Sequence, residues 1–543
     1  MTSTAGAPSL TGVTGGEVVV AALAAHGVDL VFGIPGTHNL SVFEALTRYG
    51  VRTVATTHEQ GAGYAADGYA RTARRPGVAV VTSGPAVYNA ATAVAQAYSD
   101  SVPLLLVSPG MPVGHPTGGP GLGYLHEAKD QSGAMARIAE ECLRPTDHQA
   151  VADAVAAAFA SFGRGRPRPV HLEVPLDLLD ALGDARITVA QPAARPGADP
   201  VAVATAADLL SAARRPMVVA GGGAVDAADR VRLVAERLGA PVVTTINGKG
   251  VLPEGHRLAL GARLHAAVVR EALDRADALL VVGSELGNSD LWFGSPAPTG
   301  AVVRVDVDPR MADVNVVSEV FLGGFAQESL RQLDDHLAGL VPEPRDGEPW
   351  VGQLRADAVA ASEAFGALWL PWMAALAGAV ADDAVVVTDN AMCVYYGAIP
   401  NLPAHRPASF LFPTGFGTLG FTVPAAVGAA LAAPDRQVVG ITGDGGLLFT
   451  VPELAVAAAE RLSIAVVVFD NAGYGEIRNE MLDRSEQPVA VAAPPRDLVL
   501  LAQALGAHAL RVDDPAALAA ELGAAQNRPG PTVLVVPEPP REA

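Results

Sequence analysis

Two glycine-bounded turns carry the residues best suited to chemistry. GDGG at 443–446 closes the apolar run QVVGIT, and Asp470–Asn471 closes IAVVVF after an intervening helical stretch. In open α/β sheets, strand ends face the crevice used for ligands, so Asp444 projects a carboxylate into it. Gly443 and Gly445 let backbone approach a phosphate, and the helix that follows offers N–H groups and its positive end. Asp444, the Asn471 side-chain carbonyl, a backbone carbonyl and two phosphate oxygens would make an all-oxygen octahedral shell, which suits Mg²⁺. Either turn alone is more simply a tight turn. Paired in order across one βαβ unit, they point to a metal and a diphosphate. A third residue of interest is Glu59 in THEQGAGYAADGYAR (57–71), a carboxylate at the head of a helix built mostly from Gly and Ala. Negative charge there also suits a helix start.

The elements that must position these residues follow one grammar. Short β-branched runs such as VFGIPG (31–36), VAVVTSGP (78–85), PLLLVSPG (103–110) and VHLEVP (170–175) alternate with Ala-rich helical stretches. Continuous apolar strands separated by helices imply parallel sheets covered on both faces. The Pro-rich breaks VAQPAARPGADP (189–200) and VPEPRDGEP (341–349) divide the chain into three blocks. The expected fold is three consecutive doubly wound α/β domains, over 10–185, 200–338 and 352–540. Three cores agree with 543 residues, half of them hydrophobic.

Charge and composition exclude several classes of partner. A net charge of −20, with lysine only at Lys129 and Lys249, opposes nucleic acid and anionic membrane. The apolar runs fall short of the ~20 residues of a spanning helix, although mean hydropathy is +0.29. Cys142 and Cys393 stand alone without zinc spacing, and the N-terminus lacks the regions of a signal peptide, so a cytoplasmic enzyme is expected.

The chain resembles the thiamine-diphosphate (ThDP) enzymes of the acetolactate synthase-like branch. The resemblance rests on GDGG with the later DN turn, GIPG (33–36), HEQ then ADGYAR (58–71), TSGPAVYN (82–89) and GFGTLGFTVPAAVGAA (415–430). It implies a pyrimidine-binding domain, a central domain and a diphosphate-binding domain. It also implies a homodimer or homotetramer with active sites between subunits. Glu59 becomes the catalytic carboxylate, hydrogen-bonded to N1′ of the aminopyrimidine and sharing a proton with it. Leu419 bends the cofactor so that its two rings meet. The implied cofactor-binding set is Pro35, Gly36, Asn89, Asn390, Ala391, Gly417, Leu419, Gly443, Gly445, Gly446, Asn471, Gly473 and Tyr474. Asp444, Asn471 and Gly473 are the Mg²⁺ ligands. The Gly61/Ala65/Gly68 face of the small helix suits either a close subunit contact or its own sheet.

Departures from the synthase pattern bear on substrate. LHEAKDQ (125–131) has His126 where synthases carry Gln, TSGPA has Ala86, and GSELGNSD (283–290) lacks their arginine-rich pattern, which speaks against FAD. GYGEIR resembles the 5-guanidino-2-oxopentanoate decarboxylase-like subgroup. Glu476 and Arg478 would then line the pocket mouth, one for a cationic tail and the other for a carboxylate; a solvated helix start is the alternative. His38 and His126 are the candidate proton-transfer groups. The expected reaction is decarboxylation of a small-molecule 2-oxo acid through an enamine, releasing an aldehyde or passing it to an acceptor. The alternatives are acetolactate synthase-type carboligation and a non-catalytic ThDP-fold subunit.

Overall fold

The computed structural model describes residues 9–116, 121–292, 294–347 and 349–538, so the expected end of the last domain at 540 lies outside them. Three six-stranded parallel sheets follow one another along the chain. In the first, the spatial order is Arg52–Ala55, Leu30–Gly33, Gly77–Val80, Leu104–Gly110, Val170–Pro175 and Glu141–Leu143. The third repeats that order with Phe410–Leu411, Val385–Thr388, Val438–Gly443, Ile464–Asp470, Thr532–Pro537 and His508–Arg511. The middle sheet differs. Its first strand, Pro216–Ala220, lies between Val242–Thr244 and Ala278–Val282, the strand order of an open, doubly wound dinucleotide-type sheet.

The strands are mainly apolar where helices cover both faces: Val80, Leu105, Val219, Val281, Val439 and Val467 are all buried. Strand order reverses between Leu30–Gly33 and Gly77–Val80 in the first sheet and between Val385–Thr388 and Val438–Gly443 in the third. In open α/β sheets such a reversal is where ligands bind, beyond the carboxyl ends of the strands. GIPG and TSGP stand at the first, and Asp389–Ala391 and GDGG stand at the second.

The chain divides into two compact units. One holds the chain up to Ala194 together with Val423–Ala433 and Thr450–Leu462; the other holds Arg195–Thr422, Pro434–Phe449 and the chain from Ser463 onward. Two helical segments of the last block therefore cluster with the first block. Within the chain they meet the Gly/Ala face of the helix Glu59–Ala73. An added Cβ on Gly68 would lie 2.2 Å from the Ala425 carbonyl oxygen, and one on Gly428 would lie 1.9 Å from that of Ala65. Backbone meets backbone here, which only glycine permits. Among the described residues no single helix is long and apolar enough to cross a membrane.

Candidate active site

In the first unit, Glu59 opens the helix Glu59–Ala73, but the cap is His58, whose ring accepts from the Gln60 N–H at 3.1 Å. That leaves the Glu59 carboxylate half-buried and free of capping. Its Oε2 accepts from Asn89 Nδ2 at 2.9 Å, which brings together two of the expected residues. What fixes the approach to Glu59 is Glu453, 396 positions on from Thr57. One Glu453 oxygen accepts from the Thr57 N–H (3.1 Å), the Thr57 hydroxyl (2.6 Å) and the His58 N–H (3.1 Å). Burial raises the pKa of Glu453, offset in part by these bonds. Gly61 has to be glycine for the same reason, since a Cβ there would lie 2.2 Å from Glu453 Oε1.

His38 and His126, drawn from separate loops, also meet. Ser83 Oγ lies 2.6 Å from His38 Nδ1 and 3.3 Å from His126 Nδ1, and the two rings sit edge to face with centroids 5.1 Å apart. Burial lowers the pKa of His38, and the neighbouring His126 adds to the effect. The loop behind Ser83 is held by Gln131, whose Oε1 accepts from the Gly84 N–H at 2.7 Å. Gly84 needs its left-handed φ of 63°, and a Cβ there would lie 2.5 Å from the His126 carbonyl. Gly36 packs on the Thr82 side chain, and Pro35 beside it is exposed.

In the second unit, Asp444 is fully buried and Asn471 nearly so. The Asn471 N–H donates to Asp444 Oδ1 at 3.4 Å, while the buried Asn471 Oδ1 has no partner. The Asp444 carboxylate is pushed up to about 6 by burial, against the opposing pull of Arg496. The Arg496 guanidinium is ion-paired with Asp444 and lies 3.5 Å from Asp470 Oδ1. A cation thus already rests on this carboxylate. The Gly443–Gly446 turn is closely surrounded: a Cβ on Gly443 would lie 3.4 Å from the Ala391 Cβ, one on Gly445 would lie 3.2 Å from the Tyr474 ring, and one on Gly446 would lie 3.0 Å from Asp389 Oδ2. Gly473, at φ 148°, closes the opposite turn, where a Cβ would lie 2.0 Å from the Val491 carbonyl. A buried carboxylate, an orphaned amide oxygen and a glycine cradle fit a hard divalent cation with a diphosphate.

Asn390 ties the Leu419 segment to this floor. Its Nδ2 donates to the Thr418 carbonyl at 2.7 Å, and its Oδ1 accepts from the Tyr395 hydroxyl at 2.9 Å. Leu419 is half-buried between Gly417 (φ 66°) and Gly420 (φ 85°). Beneath lies Asp389, which accepts the N–H groups of Asn390 (2.9 Å) and Gly420 (3.0 Å). Burial pushes its carboxyl from 3.8 up to about 6. A carboxyl whose folded pKa is raised binds its proton more tightly in the folded state, so its contribution to stability is lost as pH rises from about 4 to about 6. The loss amounts to roughly 3 kcal/mol at ~1.4 kcal/mol per unit. We therefore expect the melting temperature of wild type relative to Asp389→Asn to fall across that window, as read by scanning calorimetry at a series of pH values. An unchanged difference would refute the assignment.

Glu476 and Arg478 stand at the start of the helix Gly475–Asp483. Glu476 Oε1 accepts from the Tyr396 hydroxyl at 2.6 Å, and its buried Oε2 has no partner; burial raises the pKa. Arg478 Nη1 donates to the Asn471 carbonyl at 3.4 Å. Tyr396 belongs to an aromatic cluster with Tyr395, Trp292, Phe365 and Trp369. Sequence reasoning missed Glu453, Asp389, Arg496 and Ser83. Ser83 lies inside the quoted motif VAVVTSGP and Asp389 at the end of the apolar run VVVTDN (385–390), whereas Glu453 and Arg496 carry no local signal.

Three family models match the chain. They are the N-terminal TPP binding domain of thiamine pyrophosphate enzymes over residues 13–133, their central domain over 203–333 and their C-terminal TPP binding domain over 393–536. A probable 2-ketoarginine decarboxylase of Pseudomonas aeruginosa is 41% identical over 96% of this chain and 93% of its own length. The large subunit of acetolactate synthase isozyme 1 of Escherichia coli is 31% identical over 96% and 93%. A probable acetolactate synthase large subunit of Methanocaldococcus jannaschii is 30% identical over 97% and 92%. Three domain matches in order and relatives aligned over nearly their full length agree with the three sheets and both crevices: the chain belongs to the thiamine pyrophosphate enzymes.

Proposed function

We propose that this enzyme decarboxylates a 2-oxo acid with a cationic, guanidinium-type tail, using thiamine diphosphate and Mg²⁺, in a homodimer or homotetramer with sites between subunits. The observation that carries the reading is Glu476. Its carboxylate is held on one side by Tyr396, leaves the other oxygen without a partner, and lies beside aromatic rings. A planar cation satisfies a carboxylate and stacks on aromatic faces at once. The 2-ketoarginine decarboxylase relative points the same way.

The cofactor, when bound, supplies the electron sink for the bond pair left behind as CO₂ departs. The chain's own residues do the rest. Asp444, Asn471 and the Gly473 carbonyl would hold Mg²⁺, and Gly443, Gly445 and Gly446 would cradle the diphosphate. Leu419 would pack against the cofactor between them. Glu59, steadied by Asn89, holds a proton at the aminopyrimidine N1′. His38 and His126, linked through Ser83, deliver a proton to the product carbon. With two free cysteines, we place the enzyme in the cytoplasm.

A second reading, carboligation, is favoured by the acetolactate synthase relatives. A panel of 2-oxo acids with and without an acceptor separates the two: aldehyde alone supports decarboxylation, and a branched hydroxy-keto product supports carboligation. For Glu476→Gln we expect KM for a guanidinium-bearing 2-oxo acid to rise ~10–100-fold, the loss of one charge-assisted hydrogen bond of about 1.5–3 kcal/mol. Neutral 2-oxo acids should be turned over as before. Equal effects on both classes would remove Glu476 from tail recognition.

A further inference from the structure

A buried parallel strand covered on both faces should be apolar throughout, yet Val170–Pro175 reads VHLEVP, with His171 and Glu173 on one face. Register adds to them. Cys142 on the edge strand is the direct partner of His171, and Ser108 on the other neighbour is the partner of Glu173. His171 is fully buried and Glu173 almost so, and burying such groups is costly unless something uses them. None of them takes part in the crevice chemistry described above.

The three candidate ligand atoms, Cys142 Sγ, a His171 ring nitrogen and a Glu173 oxygen, all lie within 4.8 Å of one another. Cys142 Sγ is 3.3 Å from His171 Nδ1. The other ring nitrogen, Nε2, lies 2.8 Å from Ser108 Oγ, while that hydroxyl donates to the Pro109 carbonyl at 3.1 Å. Ser108 therefore accepts from Nε2–H, and the lone pair of Nδ1 points at the sulfur. Zinc-bound histidines are commonly oriented by such an outer hydrogen bond. Glu173 is likewise held, by Gln131 Nε2 at 2.9 Å and by the Arg144 guanidinium at 3.3 Å. The Ser132 side chain neighbours both Cys142 and Glu173.

We propose that Cys142, His171 and Glu173 form a zinc site, with Ser132 or a water in the fourth position. The mixed sulfur, nitrogen and oxygen set suits Zn²⁺ and disfavours Mg²⁺, which takes oxygen alone. One thiolate and one carboxylate balance the charge of the ion, the Arg144 guanidinium beside Glu173 remains as a further positive charge, and the thiol proton leaves to solvent on binding. The site locks the sheet edge to Gln131, and through Gln131 to Gly84 and the Ser83 loop.

The test uses the full chain loaded with thiamine diphosphate and Mg²⁺. Zinc is added, excess is removed by dialysis against Mg²⁺, and the metal content is measured; Co²⁺ is then used as a spectroscopic probe. We expect about one tightly held zinc per chain and a thiolate-to-cobalt charge-transfer band. Both should vanish in Cys142→Ser and persist in Asp444→Asn and in Cys393→Ser. Should Cys142→Ser fail to fold, the band surviving in Cys393→Ser assigns the sulfur to the one remaining cysteine. Absence of zinc and band in the wild type, or their loss in Asp444→Asn or Cys393→Ser, would overturn the proposal.

Discussion

Glu59→Gln is expected to lower kcat by about 10²–10⁴-fold, the range a positioned proton-transfer group contributes, while leaving the protein folded and able to bind cofactor. The substitution is nearly isosteric. The Asn89 amide keeps a carbonyl oxygen to donate to, and the His58 cap does not involve the Glu59 side chain. Thermal stability should therefore move by no more than about 0.5 kcal/mol, as for most changes at partly exposed positions. Calorimetric titration with thiamine diphosphate separates binding from turnover. A variant that bound cofactor and turned over as wild type would remove Glu59 from catalysis.

The largest effect on folding is expected at Gly428. Alanine there places its Cβ 1.9 Å from the Ala65 carbonyl oxygen, and the obstacle is backbone on both sides rather than a side chain able to swing away. Overpacking ordinarily costs about 1–3 kcal/mol; valine at this position should exceed that and lower the soluble yield. Gly68→Ala meets the Ala425 backbone in the same way. Gly523 provides the control. It is exposed on the helix Pro515–Ala525 with nothing within 4 Å of an added Cβ, so Gly523→Ala should stabilise by about 0.5–1 kcal/mol. Equal melting temperatures for Gly428→Ala and wild type would show that the two helices are not packed backbone to backbone.

Much of this was readable from residue order, because it depends on short-range pattern. The apolar runs ending in GIPG, TSGP, TDN and GDGG announce parallel strands whose carboxyl ends carry glycine and acid, and those ends stand at the two strand-order reversals. Glu59 with Asn89, and His38 with His126, are brought together as pairs because each stands in the segment that follows a strand of one sheet, Glu59 and Asn89 in the first turns of their helices. The clasp on Thr57 and His58 was not readable. Glu453 lies in a different block, with no periodicity linking it to its partners, and its acceptor role exists only once two distant helices have packed. Arg496 was hidden for the same reason, since it lies in a loop without regular elements and only the fold carries it to Asp444. The Gly61 and Gly68 spacing announced a close approach without naming what approaches, as a stripe of small residues records a distance rather than an identity.

The partnership between the helix Glu59–Ala73 and segments as late as Leu462 also sets a timetable for biosynthesis. A ribosome that has finished residue 194 has released every strand of the first sheet, but the helices that cover its glycine face are still unmade. At ~5–20 residues per second that interval lasts on the order of a quarter of a minute to a minute, during which a bare, small-residue helix surface stands open. The nascent chain thus has a window of vulnerability built into its order of synthesis, and a gene fragment ending at the first linker would remain in that state permanently.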